Sequence, residues 1–216
     1  MIRIRLTHTK TGALRYTGNL DMQKVWERTF RRARLPLTYS LGFHPQPRIN
    51  QACPLPLGFS SEVELLDFWL NKPLPLDEIC SSIEAALPGG VSIHRIEEVD
   101  PHAPALQTQV DTSDYEIILH QEVNPTELVT KIAEILSANS LPRERRGKMY
   151  DLRPLIISMR IEDRADQPPI LQLTLTVREG ATGRPEEVLL ALGLDPFKTT
   201  IKRTQLHLKP SQPILS

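Results

Sequence analysis

The chain has 216 residues, 40% of them hydrophobic, which is enough for one large or two small domains with buried cores. Its 26 basic and 26 acidic residues give a formal net charge of zero, and its two cysteines are too few for a disulfide framework. No apolar run approaches the roughly 18 residues of a membrane helix, and the charged N-terminus lacks the apolar stretch of a signal peptide, so we expect a cytoplasmic protein that contacts no membrane.

Charge is strongly segregated along the chain. Residues 1–50 contain ten Lys or Arg and two Asp or Glu, residues 60–137 contain three and fifteen, and residues 143–160 contain six and two. Such segregation is typical of a protein with an anionic partner. The alternative is that the basic and acidic faces pair with each other within the protein.

The first predicted strand covers residues 2–9. Its side chains alternate, with Ile2, Ile4 and Leu6 assigned to one side and Arg3, Arg5 and His8 to the other. This alternation predicts a half-buried strand with a polar outer side.

The first predicted helix begins at an N-cap, Asp21, and ends at Pro36. Its apolar stripe consists of Met22, Val25, Trp26, Thr29, Phe30 and Ala33. Its outer face consists of Lys24, Glu27, Arg28, Arg31, Arg32 and Arg34. Cations near a helix C-terminus complement the dipole, but four arginines within seven residues exceed what this requires. We therefore predict that this face binds an anion.

The segment after this helix is rich in proline and aromatic residues. Three prolines and a glycine between Gly42 and Pro54 exclude a plain strand there and predict a rigid, partly extended backbone. Tyr39, Phe43 and His44 offer flat faces for stacking on a nucleobase, and Arg48 offers a charge for a phosphate. The alternative is an ordered loop whose aromatic side chains close the core.

The remaining elements predict two similar halves. Strands are expected at residues 62–70, 91–96, 115–120, 151–161, 170–177 and 198–208, and helices begin at an N-cap Asp77, at Pro125 after an N-cap Asn124, and at Pro185. We interpret this order as α+β, with two tandem ferredoxin-like (split βαβ) halves whose antiparallel sheets carry helices on one face. The halves cover residues 1–100 and 112–208, joined by a connection that is a linker or a short edge strand. The last eight residues are expected to be frayed.

A second basic segment, residues 142–154, lies between a predicted helix and a predicted strand. Its cations surround a glycine and a tyrosine and are Arg143, Arg145, Arg146, Lys148 and Arg153. Basic side chains beside an aromatic residue are typical of a nucleic-acid contact. The alternative is a solvated, mobile loop.

No established catalytic pattern is present in the sequence. It contains no GxSxG elbow, no HExxH helix and no phosphate-binding glycine-rich loop. Cys53 and Cys80 are too few to hold an iron–sulfur cluster, so we expect no cofactor and no metal. His8 and His44, both in the basic N-terminal half, leave open an RNA-cleaving acid–base site, but we favour a protein that is not itself an enzyme.

The sequence between residues 10 and 58 carries a dense set of motifs. They are Lys10-Thr11-Gly12, Leu14-Arg15-Tyr16, Leu20-Asp21, Arg28, Arg31-Arg32-Ala33, Leu35-Pro36, Tyr39-Ser40, Gly42-Phe43, Pro45, Pro47 and Leu55-Pro56-Leu57-Gly58, followed near the C-terminus by Gly183-Arg184-Pro185, Glu187-Val188-Leu189 and Ala191-Leu192-Gly193. This set resembles the radical-SAM-linked protein family, a domain of unknown function that is fused to radical SAM enzymes or encoded beside them. The resemblance implies a radical SAM enzyme as partner, which would carry the cluster that this chain lacks.

Two positions depart from the pattern of that family. A Ser-His pair is expected before Leu20, where Gly18-Asn19 stands, and a second histidine is expected where Gln46 stands. Asn and Gln side chains form hydrogen bonds with a ligand but are poor proton donors and acceptors. The departures therefore favour binding over catalysis.

We predict a non-catalytic accessory protein that binds RNA, either tRNA or rRNA, for a radical SAM partner enzyme. The expected RNA-contacting residues, which must form one anion-binding surface, are Lys10, Arg15, Arg28, Arg31, Arg32, Tyr39, Ser40, Phe43, His44, Arg48, Arg143, Arg145, Arg146, Lys148 and Arg153. The alternatives are a protein–protein docking module without RNA contact and a metal-independent RNA-processing enzyme.

Overall fold

The computed structural model describes residues 1–164, 166–178 and 180–210. Most of the C-terminal residues expected to be frayed, 211–216, lie outside the described part. The chain divides into two compact units, Met1–Val110 and Asp111–Ser216. Both are mixed α/β, with mostly antiparallel strands and few helices. Across the described residues, no helix is both long and apolar enough to cross a membrane.

The first unit contains four strands and three helices. They are β1 (Ile2–Lys10), α1 (Asn19–Arg32), β2 (Ile49–Gln51), β3 (Ser60–Leu70), α2 (Leu76–Glu84), β4 (Ile93–Val99) and α3 (Leu106–Gln109). The strands lie in the order β2–β3–β1–β4, and each neighbouring pair is antiparallel. A short 3-10 helix, Gly12–Tyr16, connects β1 to α1.

One apolar cluster joins both long helices to the sheet. Trp26 and Phe30 of α1 and Ile79 and Ile83 of α2 are fully buried against alternate residues of β1 and β3. The rings of Phe30 and Phe68 are 4.4 Å apart. Both helices therefore pack on the same face of this sheet, and burial of each large side chain contributes roughly 1.5–3 kcal/mol. The predicted apolar stripe of α1 is confirmed.

The predicted N-caps of both helices are wrong. Gly18 is the N-cap of α1 and Pro75 that of α2, and neither provides a side-chain hydrogen bond. Asp21 and Asp77 instead lie in the first turn, where their charges complement the helix dipole. Aspartate is favoured both at the N-cap and in the first turn of a helix, so the sequence alone did not distinguish the two positions.

Pro36 does not end α1. The helix ends at Arg32 because Arg34 adopts a left-handed conformation, φ 54, that turns the chain away from the helix axis. The N–H of Leu35 donates to the carbonyl of Phe30 at 3.2 Å, which closes a Schellman motif. Glycine is the usual residue at the position of Arg34, so the stop was not visible in the sequence.

Arg3 and Arg5 do not form a solvated face of β1. They are 1% and 7% exposed, and both bind the buried carboxylate of Asp67. Arg3 also donates to the carbonyls of residues 103–104 at 2.7 and 3.0 Å, and Arg5 donates to Gln109 at 3.1 Å. The segment before β5 is therefore held against this face of the sheet and is not a free linker.

The second unit contains a larger number of strands. They are β5 (Val110–Leu119), which begins at the boundary residue, β6 (Pro142–Arg145), β7 (Lys148–Asp151), β8 (Ile156–Arg164), β9 (Gln167–Arg178), β10 (Ala181–Thr182) and β11 (Thr199–Leu208), with helices α4 (Pro125–Ser137) and α5 (Pro185–Leu192). Both β8 and β10 pair with β9, which is followed by β5 and β11. β6 and β7 form a separate hairpin.

The ends of α4 and α5 follow the sequence signals. The side chain of Asn124 accepts bonds from the backbone N–H groups of Thr126 and Glu127, which confirms it as the N-cap of α4. Pro185 opens α5, and Gly193 ends it with φ 77.

Strands β2, β6 and β7 lie where the sequence predicted none. Residues 142–151, expected to be irregular, form the β6–β7 hairpin, whose two turn residues Arg146 and Gly147 both have positive φ. The predicted strand at 151–161 begins only at Ile156, after a short 3-10 helix. In the proline-rich segment, β2 adds a three-residue strand to the edge of β3.

Candidate functional site

The outer face of α1 is a cluster of exposed cations, which we call the α1 basic face. Its members are Arg28, Arg31, Arg32 and Arg34. In the described parts of the chain, none of these four arginines forms an ion pair with a carboxylate. Internal pairing of acidic and basic residues thus accounts for Arg3 and Arg5 but not for the α1 basic face.

The segment after α1 forms a loop that we call the anchored loop, residues 38–48. Both of its flanks pair with β3. Trp69 accepts a bond from the N–H of Thr38 at 2.8 Å and donates its own N–H to the carbonyl of Arg48 at 3.2 Å. Both ends of the loop are therefore fixed to one residue of β3.

The tip of the anchored loop presents apolar side chains to solvent. Ser40 and Gln46 brace it, because the N–H of Ser40 donates to the carbonyl of Gln46 at 2.8 Å and the N–H of Gln46 donates to the Ser40 hydroxyl at 3.0 Å. Leu41 and Phe43 are each 101% exposed, whereas Tyr39 is 47% exposed. The alternative that Phe43 closes the core is wrong.

Arg48 packs on Trp69 at the base of this loop. Its guanidinium lies over the Trp69 ring, 4.5 Å from the centroid, and the guanidinium of Arg3 lies 5.0 Å from the same centroid. Arg48 is half-buried, so part of its charge is used within the protein.

Other predicted contact residues near the N-terminus differ in accessibility. Lys10 is 4% exposed and donates to the carbonyl of Thr17 at 2.8 Å. Arg15 is half-buried over the ring of Tyr16 and donates to its hydroxyl. His44 is exposed in the anchored loop. Of these, His44 is the residue that a large ligand reaches most directly.

Four of the five predicted contacts of the second unit, all except Arg153, lie on the β6–β7 hairpin. Arg146 and Lys148 are exposed, and Arg143 is half-buried. Nε of Arg145 is 3.9 Å from the carboxylate of Glu187. The hairpin therefore presents a basic ribbon in which one charge is partly compensated.

Arg153 has an internal role. Its Nε and Nη2 donate to the carbonyl of Leu136 at 3.2 and 2.7 Å, and its Nη1 donates to the carbonyl of Ile156 at 2.9 Å. Leu136 lies in the last turn of α4, so Arg153 caps that helix. Arg31 belongs to the first unit and Arg146 to the second, so convergence of the two basic segments stays a prediction.

The structure also contains a candidate site that the sequence did not predict as a group. A cavity of ≈ 10 Å³, which we call the His8 cavity, is lined by His8, Lys10, Asn19, Met22, Gln51, Cys53, Pro54, Leu55 and Glu64. These residues come from β1, α1, β2, the segment after β2, and β3. The sequence contained one signal, because His8 and Lys10 have the same parity as Ile4 and Leu6 and so face the helices. Assigning His8 to the polar side of β1 was wrong.

His8 is held in a fixed environment. It is 2% exposed, pairs with Glu64 across β1 and β3, and contacts the Trp26 ring edge-on at a centroid distance of 4.7 Å. Burial is the largest influence and lowers the pKa of His8. The hydrogen bond with the carbonyl of Thr9 and the charge of Glu64 oppose this, His94 and Lys10 lower the pKa further, and the net shift is downward. The ring is therefore neutral at pH 7.

His8 and His44 are not brought into one acid–base pair. His8 lies beside Glu64, whereas the loop that carries His44 is anchored at Trp69, five residues further along β3. Five residues of strand span about 17 Å. The sequence-based idea of a shared His8/His44 centre has no geometric support in the first unit.

The chain belongs to a bacterial family described as an uncharacterized protein conserved in bacteria, DUF2344, whose model matches residues 3–185. No curated protein matches the sequence.

Among solved structures, the chain is similar to one in the crystal structure of a Cbf5–Nop10–Gar1 complex. The identity is 9% and the TM-score 0.52, with 94% of this chain and 48% of that chain covered. It is also similar to one in the archaeal box H/ACA sRNP Nop10–Cbf5 complex, with 10% identity, a TM-score of 0.46, and 94% and 47% covered. The chain spans about half the length of these proteins, and at such identity the first likeness shows a shared fold alone.

Proposed function

We propose that this protein is a non-catalytic accessory protein that binds RNA through its first unit. The α1 basic face would hold phosphates, and the anchored loop would stack on an unpaired base. The observation that carries the proposal is Phe43, fully exposed at the tip of a loop whose two ends are both fixed to Trp69. A phenylalanine left in water forgoes roughly 1.5–3 kcal/mol of burial, and stacking on a base recovers part of that free energy.

The geometry of α1 supports binding of a single strand. Lys24, Arg28 and Arg31 are spaced at i, i+4 and i+7, so they line one side of a helix of 14 residues. At about 1.5 Å per residue the helix is roughly 20 Å long, which matches about six stacked nucleotides at about 3.4 Å each. Exposed arginines without carboxylate partners are suited to phosphate contacts.

The proposal also includes a contact from the second unit and a partner enzyme. The exposed cations of the β6–β7 hairpin would add a second phosphate contact, and the sequence resemblance favours a cytoplasmic radical SAM enzyme as partner. We also propose that each unit is ferredoxin-like, because the strand orders β2–β3–β1–β4 and β8–β9–β5–β11 are equivalent.

The proposal is tested by the fluorescence anisotropy of a labelled single-stranded RNA of about 12 nucleotides. Stacking of one base is worth about 1–3 kcal/mol, so Phe43→Ala should weaken binding by about fivefold to a hundredfold. Phe197→Ala is the matched control, because Phe197 is 99% exposed in the second unit and lies outside the proposed surface. Equal affinities for wild type and Phe43→Ala would contradict the proposal.

A second candidate function is a docking module for the radical SAM enzyme without RNA contact. The full exposure of Leu41 favours it, because an aliphatic side chain fits an apolar pocket but adds little to base stacking. Leu41→Ala should then weaken copurification of the two proteins as much as Phe43→Ala does. Persistence of the complex after nuclease treatment, together with no RNA binding at low salt, would favour this candidate.

A further inference from the structure

The His8 cavity has no part in the proposed phosphate and stacking contacts. It lies at the N-terminal end of α1, where Gln51 donates to the carbonyl of Asn19 at 3.3 Å. The anchored loop lies at the opposite end of α1, so a strand following the α1 basic face would reach both. Asn19 and Pro54 are exposed at the cavity, which connects it to solvent.

The hydrogen-bonding state of His8 follows from its neighbours. Nδ1 is 2.9 Å from the carbonyl of Thr9, and a carbonyl only accepts, so Nδ1 carries the proton. Nε2 of the neutral ring is then an acceptor. Among the residues described by the structure, Nε2 has no hydrogen-bond partner. It is not one of the fully buried unpartnered atoms, so it is open to solvent at the cavity, although the residue as a whole is only 2% exposed. A ligand that donates to Nε2 replaces water there, and the net gain from such a hydrogen bond is about 0.5–1.5 kcal/mol.

The size and charge of the cavity restrict the ligand. A volume of ≈ 10 Å³ accommodates about one water molecule, so it admits a single polar group and not a whole base. Lys10 and Glu64 contribute one charge of each sign, which favours a neutral group. Within the described ranges, no three His, Cys, Asp or Glu side chains are placed to hold a metal ion. The group that fits is a neutral donor of the size of a hydroxyl.

We propose that the His8 cavity binds a ribose 2′-hydroxyl, which donates to Nε2 of His8 and accepts from the side-chain amide of Asn19. This inference rests on the RNA binding proposed above. The Asn19 amide has no hydrogen-bond partner of its own among the described residues. The 2′-hydroxyl is the group that distinguishes RNA from DNA, so the cavity would make the protein selective for RNA.

An exocyclic amino group of a base is the other neutral donor of this size in RNA. Its nitrogen lone pair is delocalised into the base, so it donates to His8 but does not accept from Asn19. A hydroxyl does both. Oligo-uridine separates the two sources, because uracil has no exocyclic amino group and every uridine has a 2′-hydroxyl.

The experiment compares three oligo-uridine probes of about 12 nucleotides with ribose, 2′-deoxyribose and 2′-O-methyl sugars. Wild-type protein should bind the ribose probe about twofold to tenfold more tightly than the other two, which corresponds to the net contribution of one hydrogen bond. The 2′-O-methyl group cannot donate and exceeds the volume of the cavity. Equal binding of all three probes would overturn the inference and leave the proposed function intact.

Two variants test the residues. His8→Phe keeps a ring against Trp26 and should lower the affinity for the ribose probe to that for the deoxyribose probe, with deoxyribose binding unchanged. Asn19→Ala, at an exposed position with little risk to folding, should reduce the preference severalfold, whereas Asn71→Ala, an exposed amide outside the cavity, should not. An unchanged preference in Asn19→Ala would overturn the inference, and the absence of binding to any probe at low salt would overturn the proposed function as well.

Discussion

Replacing Asp67 with asparagine is expected to destabilise the first unit by about 3–5 kcal/mol. The carboxylate is fully buried and is shared by two arginines that are themselves buried. Nε of Arg3 donates to Oδ2 of Asp67 at 2.8 Å. Arg5 donates to both oxygens, from Nε to Oδ1 at 2.8 Å and from Nη2 to Oδ2 at 3.0 Å. Removal of its charge leaves two guanidinium groups without an anion in the interior.

The magnitude follows from the geometry. Each ion pair is worth about 4 kcal/mol at a separation of about 4 Å and an effective dielectric constant near 20, and repulsion between the two arginines cancels part of the sum. Removing one partner of a buried pair costs about 3–5 kcal/mol, a large part of the roughly 5–15 kcal/mol that stabilises a domain.

Urea unfolding followed by tryptophan fluorescence measures this loss, because Trp26 and Trp69 both lie in the first unit. With a denaturant slope of about 2 kcal/mol per molar, the midpoint should fall by about 2 M. Glu98→Gln on β4, which neutralises an exposed carboxylate, is the control and should shift the midpoint little. A shift in Asp67→Asn no larger than in the control would refute the argument.

Three further changes test local features. Arg34→Gly should stabilise the protein by about 1 kcal/mol in urea unfolding, because glycine removes the cost of the left-handed conformation, whereas Arg28→Gly inside α1 should cost about 1 kcal/mol. His8→Gln should remove a pH dependence of the free energy of unfolding. Below about pH 6.5, His8 takes up a proton in the unfolded state but resists it in the folded state, so wild type should lose up to about 1.4 kcal/mol of stability per pH unit relative to the variant. Parallel curves of stability against pH for the two proteins would contradict this. Arg153→Met should lower the stability of the second unit by about 2 kcal/mol, since the carbonyl of Leu136 loses its charged donor, with RNA affinity unchanged.

Local signals in the sequence were sufficient for the apolar stripe of α1 and the start of α4. The apolar stripe of α1 recurs at helical spacing, and Asn124 followed by Pro125 marks the start of α4, so both were predicted from neighbouring residues alone. The end of α1 was not, because an arginine occupies the left-handed position where glycine is the usual signal. The β6–β7 hairpin was missed for the same reason, since its turn begins with Arg146 instead of Asn or Asp.

The environment of the charged residues in β1 could not be predicted from local sequence. Arg3 finds Asp67 at a separation of 64 residues and the carbonyl of Ala103 at 100 residues. The same holds for the His8 cavity, whose lining residues extend from His8 to Glu64. The alternation of side chains along β1 does place His8 on the same face as Ile4 and Leu6. His8 was nevertheless assigned to the exposed face, with Arg3 and Arg5, because histidine is polar.

The candidate RNA surface was predicted in part. The α1 basic face follows from helical spacing, and its lack of carboxylate partners among the described residues required the structure. Phe43 and Arg48 illustrate the limit, because both were expected to contact a ligand, yet one is fully exposed and the other is half-buried over Trp69. Which aromatic and basic residues a loop exposes depends on how its ends are anchored.

The salt dependence of RNA binding tests the central claim most directly. Each phosphate contact on a single strand contributes about 0.7 to the slope of log K against log salt, so Arg31→Glu with Arg32→Glu should lower the slope by about 1.4 and weaken binding at low salt. The double variant Arg160→Glu with Lys198→Glu makes the same change in net charge at exposed positions of the second unit and should preserve the slope. Equal slopes for the two double variants, or no binding by wild type at low salt, would contradict the account.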